Sequence, residues 1–232
     1  AYGNSTYVVV GGSGTILTSS DGISWTSRSS GTSSPLYGVS FGNNVFVAVG
    51  YSATILSSSD GSSWSSRSGA EGQLDTVTYG NGKFIAVGAA YNKLFSSGDG
   101  TNWTTVSHGS TLGMKGIVYA NNKFVAVGHS GEILTSSDGG TWSLSTTGGM
   151  SYMNVVFGNG IFVGMGYNGI RTSSDNGSNW SALSSSTSLS GTTLEGLGGG
   201  YKHYWHGTQQ LGTNYGDSGR KIILDSNKNK IE

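Results

Sequence analysis

Five tryptophans recur at an almost constant interval along this 232-residue chain, and that interval constrains the fold more than any other feature. The intervals are 39, 39, 39 and 38 residues, and the residues are Trp25, Trp64, Trp103, Trp142 and Trp180. Each tryptophan ends a Ser-x-Asp phrase, whose acidic residues are Asp21, Asp60, Asp99, Asp138 and Asp175. A fixed period near 40 residues indicates that one supersecondary unit is stacked repeatedly.

Each repeat contains four short segments with the composition of β-strands. The second segment is the clearest, and it reads Phe-Val-Ala-Val-Gly at 46–50 and again at 124–128. Its β-branched and aromatic residues favour a strand, and it is apolar on both faces, as a strand between neighbouring sheets should be. Turn pairs such as Asn43-Asn44 and Asn81-Gly82 precede it. Four strands in each repeat of about 40 residues predict an all-β propeller of four-stranded blades, with five blades favoured and six as the alternative.

The Ser-x-Asp phrase has a structural interpretation that needs no ligand. Its carboxylate can accept backbone N–H bonds inside the hairpin between the third and fourth strands. The tryptophan that follows would then pack between blades, which contributes about 4–6 kcal/mol for each buried indole as an upper value. We therefore expect these acidic residues to shape turns and not to act in catalysis.

The phrase resembles the Asp-box, or bacterial neuraminidase repeat, which occurs in sialidases and many other propellers. The wording Phe-Val-Ala-Val-Gly … Ile-Leu-Thr-Ser-Ser-Asp-Gly … Trp is similar to repeat proteins of bacterial and phage surfaces and, more loosely, to the photosystem II assembly factor family. The resemblance covers about residues 1–185, and it implies a propeller fold. Four of the five phrases are one residue shorter between Asp and Trp than the usual Asp-box.

Sialidase chemistry, as the resemblance implies it, needs three arginines around a carboxylate, a Tyr/Glu nucleophile pair and an acidic acid/base. Arginine suits such a clamp because its fork is bidentate. The arginines of this chain are Arg28, Arg67, Arg171 and Arg220. Arg28 and Arg67 hold the same repeat position, on what should be the outer strands of adjacent blades. The sequence therefore predicts no sialidase activity and no enzyme.

The two ends of the chain bear on how the ring closes. Residues 2–4 match the end of a first strand, so the first blade lacks most of its inner strand. Residues 194–198 repeat the first-strand pattern and could complete that blade. We therefore predict a propeller over 1–200, closed by a strand near 192–199, with 201–232 as an appendage. The alternative is a degenerate sixth blade over 192–232, with a hairpin formed by 221–225 and 230–231.

Composition excludes several classes of partner. Twelve basic and twelve acidic residues cancel, so no field attracts nucleic acid. Cysteine is absent, and no apolar run is long enough for membrane insertion. His203 and His206 would point to opposite faces of a strand, which makes them poor joint metal ligands. We expect no metal and no cofactor.

One rim of the propeller carries the candidate binding residues. The approaches to the first strands carry variable side chains in a constant frame, at Tyr37, Asp75, Lys115, Asn154 and Glu195. The loops that follow the second strands carry Tyr51, Tyr91, His129 and Tyr167. Aromatic platforms mixed with polar groups could stack on a sugar or hold a partner protein. Alternatively, the tyrosines only cover the loop turns.

Three functions follow, in order of preference. The first is a non-enzymatic extracellular recognition or adhesion module for a glycan or another surface component, on a cell surface, virion or phage tail. A charge-poor surface rich in glycine, serine and threonine suits that location. The second is a structural assembly subunit that self-assembles or is anchored through residues 201–232. The third is a glycoside hydrolase, either sialidase-like or one that uses Asp75 and Glu195 as paired carboxylates at the entrance of the central channel.

Overall fold

The computed structural model describes residues 1–88, 92–167 and 169–182, together with the strand backbone at 223–224 and 230–231. Over the first three ranges the chain forms five antiparallel sheets of four strands each. The strands of the first and second sheets are β1 (Tyr2–Gly3), β2 (Thr6–Val10), β3 (Ile16–Ser19), β4 (Thr26–Arg28), β5 (Leu36–Gly42), β6 (Val45–Gly50), β7 (Ile55–Ser58) and β8 (Ser65–Arg67). Those of the third to fifth sheets are β9 (Thr76–Gly80), β10 (Lys83–Val87), β11 (Leu94–Ser97), β12 (Thr104–Val106), β13 (Met114–Ala120), β14 (Lys123–Gly128), β15 (Glu132–Ser136), β16 (Ser143–Thr146), β17 (Tyr152–Gly158), β18 (Ile161–Gly166), β19 (Gly169–Ser173) and β20 (Ser181–Ala182).

Each sheet is a simple meander in which strands pair in chain order. The first strands β5, β9, β13 and β17 also pack against one another from sheet to sheet, which makes them the inner strands around a hub. Short 3₁₀ turns, Gly12–Gly14 and His129–Gly131, link the second and third strands of the first and fourth sheets. This arrangement confirms the predicted all-β propeller of four-stranded blades.

The hairpins between first and second strands have the predicted turn residues. Asn43 and Asn44 have φ of 47° and 58°, and Asn81 and Gly82 have φ of 43° and 76°. Positive φ at both central positions is the type I′ geometry, whose twist matches that of the flanking strands. Asparagine and glycine tolerate this region of backbone space, which explains their recurrence here.

Four apolar clusters lie between consecutive sheets. In the cluster between the second and third sheets, Phe84 and Trp103 of the third sheet pack against Val47 and Ile55 of the second. The second strands are buried on both faces, and β6 is fully buried from Phe46 to Val49. The prediction of a doubly covered second strand is therefore confirmed for the sheets inside the array.

Glycines at the ends of inner strands let neighbouring sheets approach closely. A Cβ on Gly42 would lie 2.0 Å from Cγ of Tyr79 in the next sheet, and a Cβ on Gly80 would lie 1.9 Å from Cγ of Tyr119. The aromatic ring of each sheet therefore occupies the space that a side chain would need on the sheet before it. A side chain at Gly42 or Gly80 would require the facing ring to move, and the equivalent residue of the fourth sheet is the small Ala120.

In the first sheet the tryptophan is not packed between two blades as predicted. Trp103 is 6% exposed, whereas Trp25 is 40% exposed, and Val9, in the middle of β2, is 45% exposed. The reason is that no preceding sheet covers this face, because the first and fifth sheets of the described array are not joined into a closed ring. The expectation that all five indoles are wedged between blades is thus wrong for Trp25.

The chain divides into two compact units, Ala1–Gly199 and Gly200–Glu232. The second unit contains a short antiparallel hairpin of β21 (Ile223–Leu224) and β22 (Lys230–Ile231), paired through Ile223 with Ile231. The predicted closing strand near 192–199 and most of 201–232 lie outside the described residues. Across the described ranges, the model contains no helix whose length and hydrophobicity would let it cross a bilayer.

Candidate recognition rim

The rim is formed by the loops after the second strands and by the residues that lead into the inner strands. Backbone hydrogen bonds hold these two parts together in the same way in several sheets. The N–H of Tyr51 donates to Pro35 O at 2.9 Å, and that of Tyr167 donates to Ser151 O at 3.0 Å. His129 makes the equivalent bond to Gly113 O at 3.4 Å. The three residues thus hold the same position, as their place in the repeat predicted.

Three tyrosines on this rim expose their rings. Tyr37 and Tyr167 are each 47% exposed and Tyr51 is 53% exposed. Tyr37 lies at a β-bulge, because Leu36 pairs with Gly50 while Gly38 pairs with Val49. A bulge places an extra residue outside the regular ladder and re-aims its side chain. Lys115 holds the same bulge position in the fourth sheet, between Met114 and Gly116.

An ion pair joins the third and fourth sheets on the rim. Lys115 Nζ lies 3.2 Å from Asp75 Oδ2, and both side chains are mostly buried. The side-chain amide of Gln73 donates to the other oxygen of Asp75. The negative charge of Asp75 is therefore balanced by Lys115, and Lys115 and Gln73 each hold one of its carboxylate oxygens. Gln73 is not predicted as a rim residue from the sequence, where its only signal is that it lies two residues before Asp75 on the same approach.

The structure assigns Asn154 to a different position from the other variable residues. Tyr152 pairs with Gly166 and Asn154 with Met165, so the bulge residue equivalent to Tyr37 and Lys115 is Met153. Asn154 is equivalent to Gly38 and Gly116 instead. Its Oδ1 accepts the N–H of Val155 at 2.8 Å. The rim position in the fifth sheet is therefore the apolar Met153, and the prediction of Asn154 at that position is wrong.

Two predicted rim residues, Tyr91 and Glu195, lie outside the described residues. The proposed pairing of Asp75 with Glu195 as hydrolytic carboxylates is therefore not placed by the structure. Tyr37, Tyr51, Asp75, Lys115, His129 and Tyr167 lie on the rim strands and loops as described above.

The Ser-x-Asp turns lie at the opposite ends of the strands, between the third and fourth strand of each sheet. In the first turn, Asp21 Oδ1 accepts the N–H groups of Ile23 and Ser24, each at 2.8 Å. The hydroxyl of Ser19 donates to the same oxygen at 2.9 Å and accepts the N–H of Gly22 at 2.8 Å. These bonds recur at Asp60, Asp99 and Asp138, and in part at Asp175.

Hydrogen bonding to the carboxylates has an electrostatic consequence. The backbone N–H of Ser24, then that of Ile23 and the hydroxyl of Ser19, lower the pKa of Asp21 to about 2. The pKa of Asp138 is lowered to about 2 by the N–H groups of Thr141 and Gly140 and by Ser136. A carboxylate held ionised by several donors suits a turn and is unsuited to giving or taking protons near neutral pH.

The arginines of the described ranges are held separately. Arg28 Nε donates to Thr18 Oγ1 at 2.9 Å, and Arg67 Nε donates to Ser57 Oγ at 2.7 Å, each within its own sheet. Arg171, on β19, has an Nη2 that donates to Gly148 O at 3.4 Å. Arg28 and Arg67 lie on the outer strands β4 and β8, as predicted. Arg220 lies outside the described residues.

His108, Ser110 and Glu132 form a cluster of the residue types that activate a nucleophilic serine in hydrolases, and His108 is buried. His108 Nε2 lies 2.7 Å from Asn92 O, and His108 Nδ1 accepts the backbone N–H of Ser110 at 3.3 Å. The Ser110 hydroxyl donates instead to Glu132 and to Leu112 O. Because the hydroxyl does not face the imidazole, this cluster lacks the hydrogen bond that would activate a serine.

Comparison with known proteins identifies the fold. No family profile and no curated protein match the sequence. Among solved structures, YCF48 bound to a D1 peptide is 23% identical with a TM-score of 0.58, over 76% of this chain and 63% of that one. YCF48 from Cyanidioschyzon merolae is 16% identical with a TM-score of 0.59, over 77% and 67% of the two chains. The WD40 β-propeller domain of Doa1 is 15% identical with a TM-score of 0.58, over 79% and 65%.

The chain thus spans somewhat less than two thirds of the length of the first of these structures. At these identities the likeness shows the fold alone. The matched structures include a WD40 propeller. Together with the five four-stranded sheets, it shows that this chain has the β-propeller fold.

Proposed function

We propose that this chain is a non-catalytic recognition module whose ligand binds on the rim. The observation that carries the proposal is the exposure of Tyr37, Tyr51 and Tyr167 on a single rim of a rigid frame. Tyrosine supplies a large contact area with few rotatable bonds, and its hydroxyl can form hydrogen bonds at the edge of the contact. Variable side chains on equivalent loops are the arrangement by which a constant scaffold acquires specificity.

The chemistry of the rim favours a polar ligand of low charge. Its ion pair, Asp75 with Lys115, satisfies both charges within the protein. The tyrosine rings remain available for stacking or for hydrogen bonds. A surface glycan or a polar segment of a surface protein meets these requirements, and one structural neighbour was solved with a bound peptide. We place the module at a cell surface or on a virion, in keeping with the low content of charged residues, 10%.

Binding to a glycan array and to a displayed random peptide library tests the proposal. Tyr51→Ala and Tyr167→Ala should each weaken the binding of any hit by about tenfold or more, as removal of a central aromatic contact does. Leu144→Ala is the matched control, because Leu144 is also exposed but lies on the outer strand β16. A hit that both tyrosine variants retain at full strength would contradict the assignment of the rim, and turnover of a fluorogenic sialoside would contradict the absence of catalysis.

A further inference from the structure

The four interfaces between consecutive sheets repeat the same three contacts. First, the aromatic residue of an inner strand lies over a small residue of the preceding sheet, as Phe41 does over Gly3 and Tyr79 over Gly42. Second, an asparagine of the preceding sheet donates to the next Ser-x-Asp turn, as Asn4 Nδ2 does to Ser59 O at 3.0 Å. The same bond joins Asn43 to Gly98 O, at 3.3 Å, and Asn81 to Ser137 O, at 3.0 Å.

The third contact is made by the glycine of the Ser-x-Asp turn. A Cβ on Gly61 would lie 3.1 Å from Val8 of the preceding sheet, and a Cβ on Gly100 would lie 2.8 Å from Val47. The turn of each sheet therefore lies on the second strand of the sheet before it. In each interface the preceding sheet supplies the small residue, the asparagine and the second-strand valine, which together form the receiving half. The following sheet supplies the inner-strand aromatic residue and the Ser-x-Asp turn, which form the inserting half.

On the outer face of the fifth sheet, the receiving half meets no described residue. A Cβ on Gly158 would have no atom of the described residues within 4 Å, whereas the space beside its equivalent Gly42 is filled by Tyr79. Asn159 has the same positive φ, 49°, as the other turn asparagines, but its side chain bonds to no described residue. Val163 is half-buried, whereas its equivalent Val47 is fully buried.

The free face of the first sheet has the inserting half. Tyr2 pairs with Tyr7 as Phe41 pairs with Phe46, so Tyr2 is the inner-strand aromatic of its sheet, and it is 49% exposed. Trp25, which holds the same repeat position as Trp64, is also exposed. A Cβ on Gly22 would contact Tyr7 of its own sheet, at 3.8 Å, and no other described residue within 4 Å. Each element that inserts at the other interfaces is thus present in the first sheet.

We propose that the outer face of the fifth sheet binds the free face of the first sheet of a second copy of this chain. Both faces are apolar at the contact positions, with Val163 and Ile170 on one side and Tyr2, Val9 and Trp25 on the other. None of these five side chains is charged near neutral pH, and burial of their apolar surface favours association. Among the described residues of one molecule the two faces are not joined, and in the proposed contact a second molecule supplies the missing half.

Such an interface is heterologous, because two different surfaces of the chain meet. Head-to-tail contacts of this kind generate rings when the rotation closes and filaments when it does not. The rim lies along the loop ends of every sheet and is not part of either face. Association would therefore present several recognition rims together, and it does not depend on what the rim binds.

Cross-linking tests the proposal, because the natural chain contains no cysteine. Asn159→Cys with Ser20→Cys marks the proposed contact, since Asn4 and Ser59 hold the equivalent positions across the first and second sheets. Asn4→Cys with Ser59→Cys is the matched control, which should react with a short bismaleimide within one molecule. The test pair should give covalently joined dimers and longer multimers. Exclusive cross-linking within one molecule, or none at all, would overturn the proposal.

Sedimentation velocity over a range of protein concentrations provides an independent measurement. The unmodified protein should associate as concentration rises, and Gly158→Val should weaken association at least tenfold, because its side chain fills the space that Tyr2 needs. Gly98→Val is the control, since Gly98 is exposed with no neighbour within 4 Å and lies away from both faces. A protein that stays monomeric at every concentration, or equal effects of the two variants, would contradict the second-copy assignment.

Discussion

A single glycine at the end of an inner strand determines how closely two sheets pack. Gly42→Ala should lower the free energy of unfolding by about 1–3 kcal/mol, because the added methyl group collides with the Tyr79 ring. Gly158→Ala at the equivalent position should change it by less than about 0.5 kcal/mol, since no atom of the described residues lies within 4 Å. Urea denaturation of the two variants in dilute solution measures both values. Equal losses would show that the fifth sheet is covered as the second one is.

The indole N–H groups of two tryptophans differ in a way that substitution can detect. Trp64 Nε1 donates to Gly61 O at 2.8 Å, whereas Trp142 Nε1 is buried without a partner among the described residues. Trp64→Phe should therefore cost about 1 kcal/mol more than Trp142→Phe, since only the former loses a hydrogen bond. Thermal or urea unfolding of both variants checks the difference. The reverse order would mean that the Trp142 indole is bonded in solution.

At the residue scale, the sequence predicted most rim positions but not all of them. The positions of Tyr51, His129 and Tyr167 follow from the glycine that ends each second strand. Asn154 was misplaced because Met153 looks like Met114, while the structure puts the aromatic Tyr152 at that position. Tyr152 is fully buried and its hydroxyl lies 2.9 Å from Thr147 Oγ1. The partner Thr147 lies in the loop before the inner strand, and the repeat pattern does not predict the residues of that loop.

The elements that sequence predicts best are the turns, because their chemistry is local. The donors and the acceptor of each Ser-x-Asp turn lie within four residues of one another, so a short phrase contains the whole hydrogen-bonding pattern. The Asn-Asn and Asn-Gly hairpins are equally local, since they require only positive φ. Bulges were not predicted, because a bulge depends on pairing with another strand.

The same turns should make the stability of the protein sensitive to acid. The pKa of Asp21, Asp138 and Asp175 is lowered to about 2, and that of Asp60 and Asp99 is also lowered, mainly by backbone N–H donors. A lowered folded-state pKa stabilises the fold at pH above the unfolded value, about 4, and that contribution is lost as pH falls toward about 2.

Chemical denaturation at several pH values measures this effect. Unfolding free energy should fall between pH of about 4 and about 2, and Asp138→Asn should reduce both the stability at neutral pH and the steepness of the fall. Leu144→Ala, an exposed apolar residue of β16 outside the Ser-x-Asp turns, serves as a control that leaves the pH profile unchanged. A profile that is flat below pH of about 4 would show that the carboxylates are not bonded as described.

At the scale of the whole molecule, the tryptophan interval was enough to predict the repeated sheets but not the environment of every indole. Trp25 ends the same phrase as Trp103, yet the two differ in exposure because only Trp103 has a sheet in front of it. Burial here is a property of the neighbour and not of the local sequence. For the same reason the free faces of the first and fifth sheets could not be recognised before the structure was known.

Each sheet after the first packs its tryptophan against the sheet before it. Fluorine NMR of protein labelled with 5-fluorotryptophan tests this packing, with each resonance assigned from its Trp→Phe variant. On transfer from water to deuterium oxide, Trp64, Trp103, Trp142 and Trp180 should show small shifts, smallest for Trp103, and Trp25 a large one in dilute protein. Large solvent shifts at the four interior tryptophans would contradict the account.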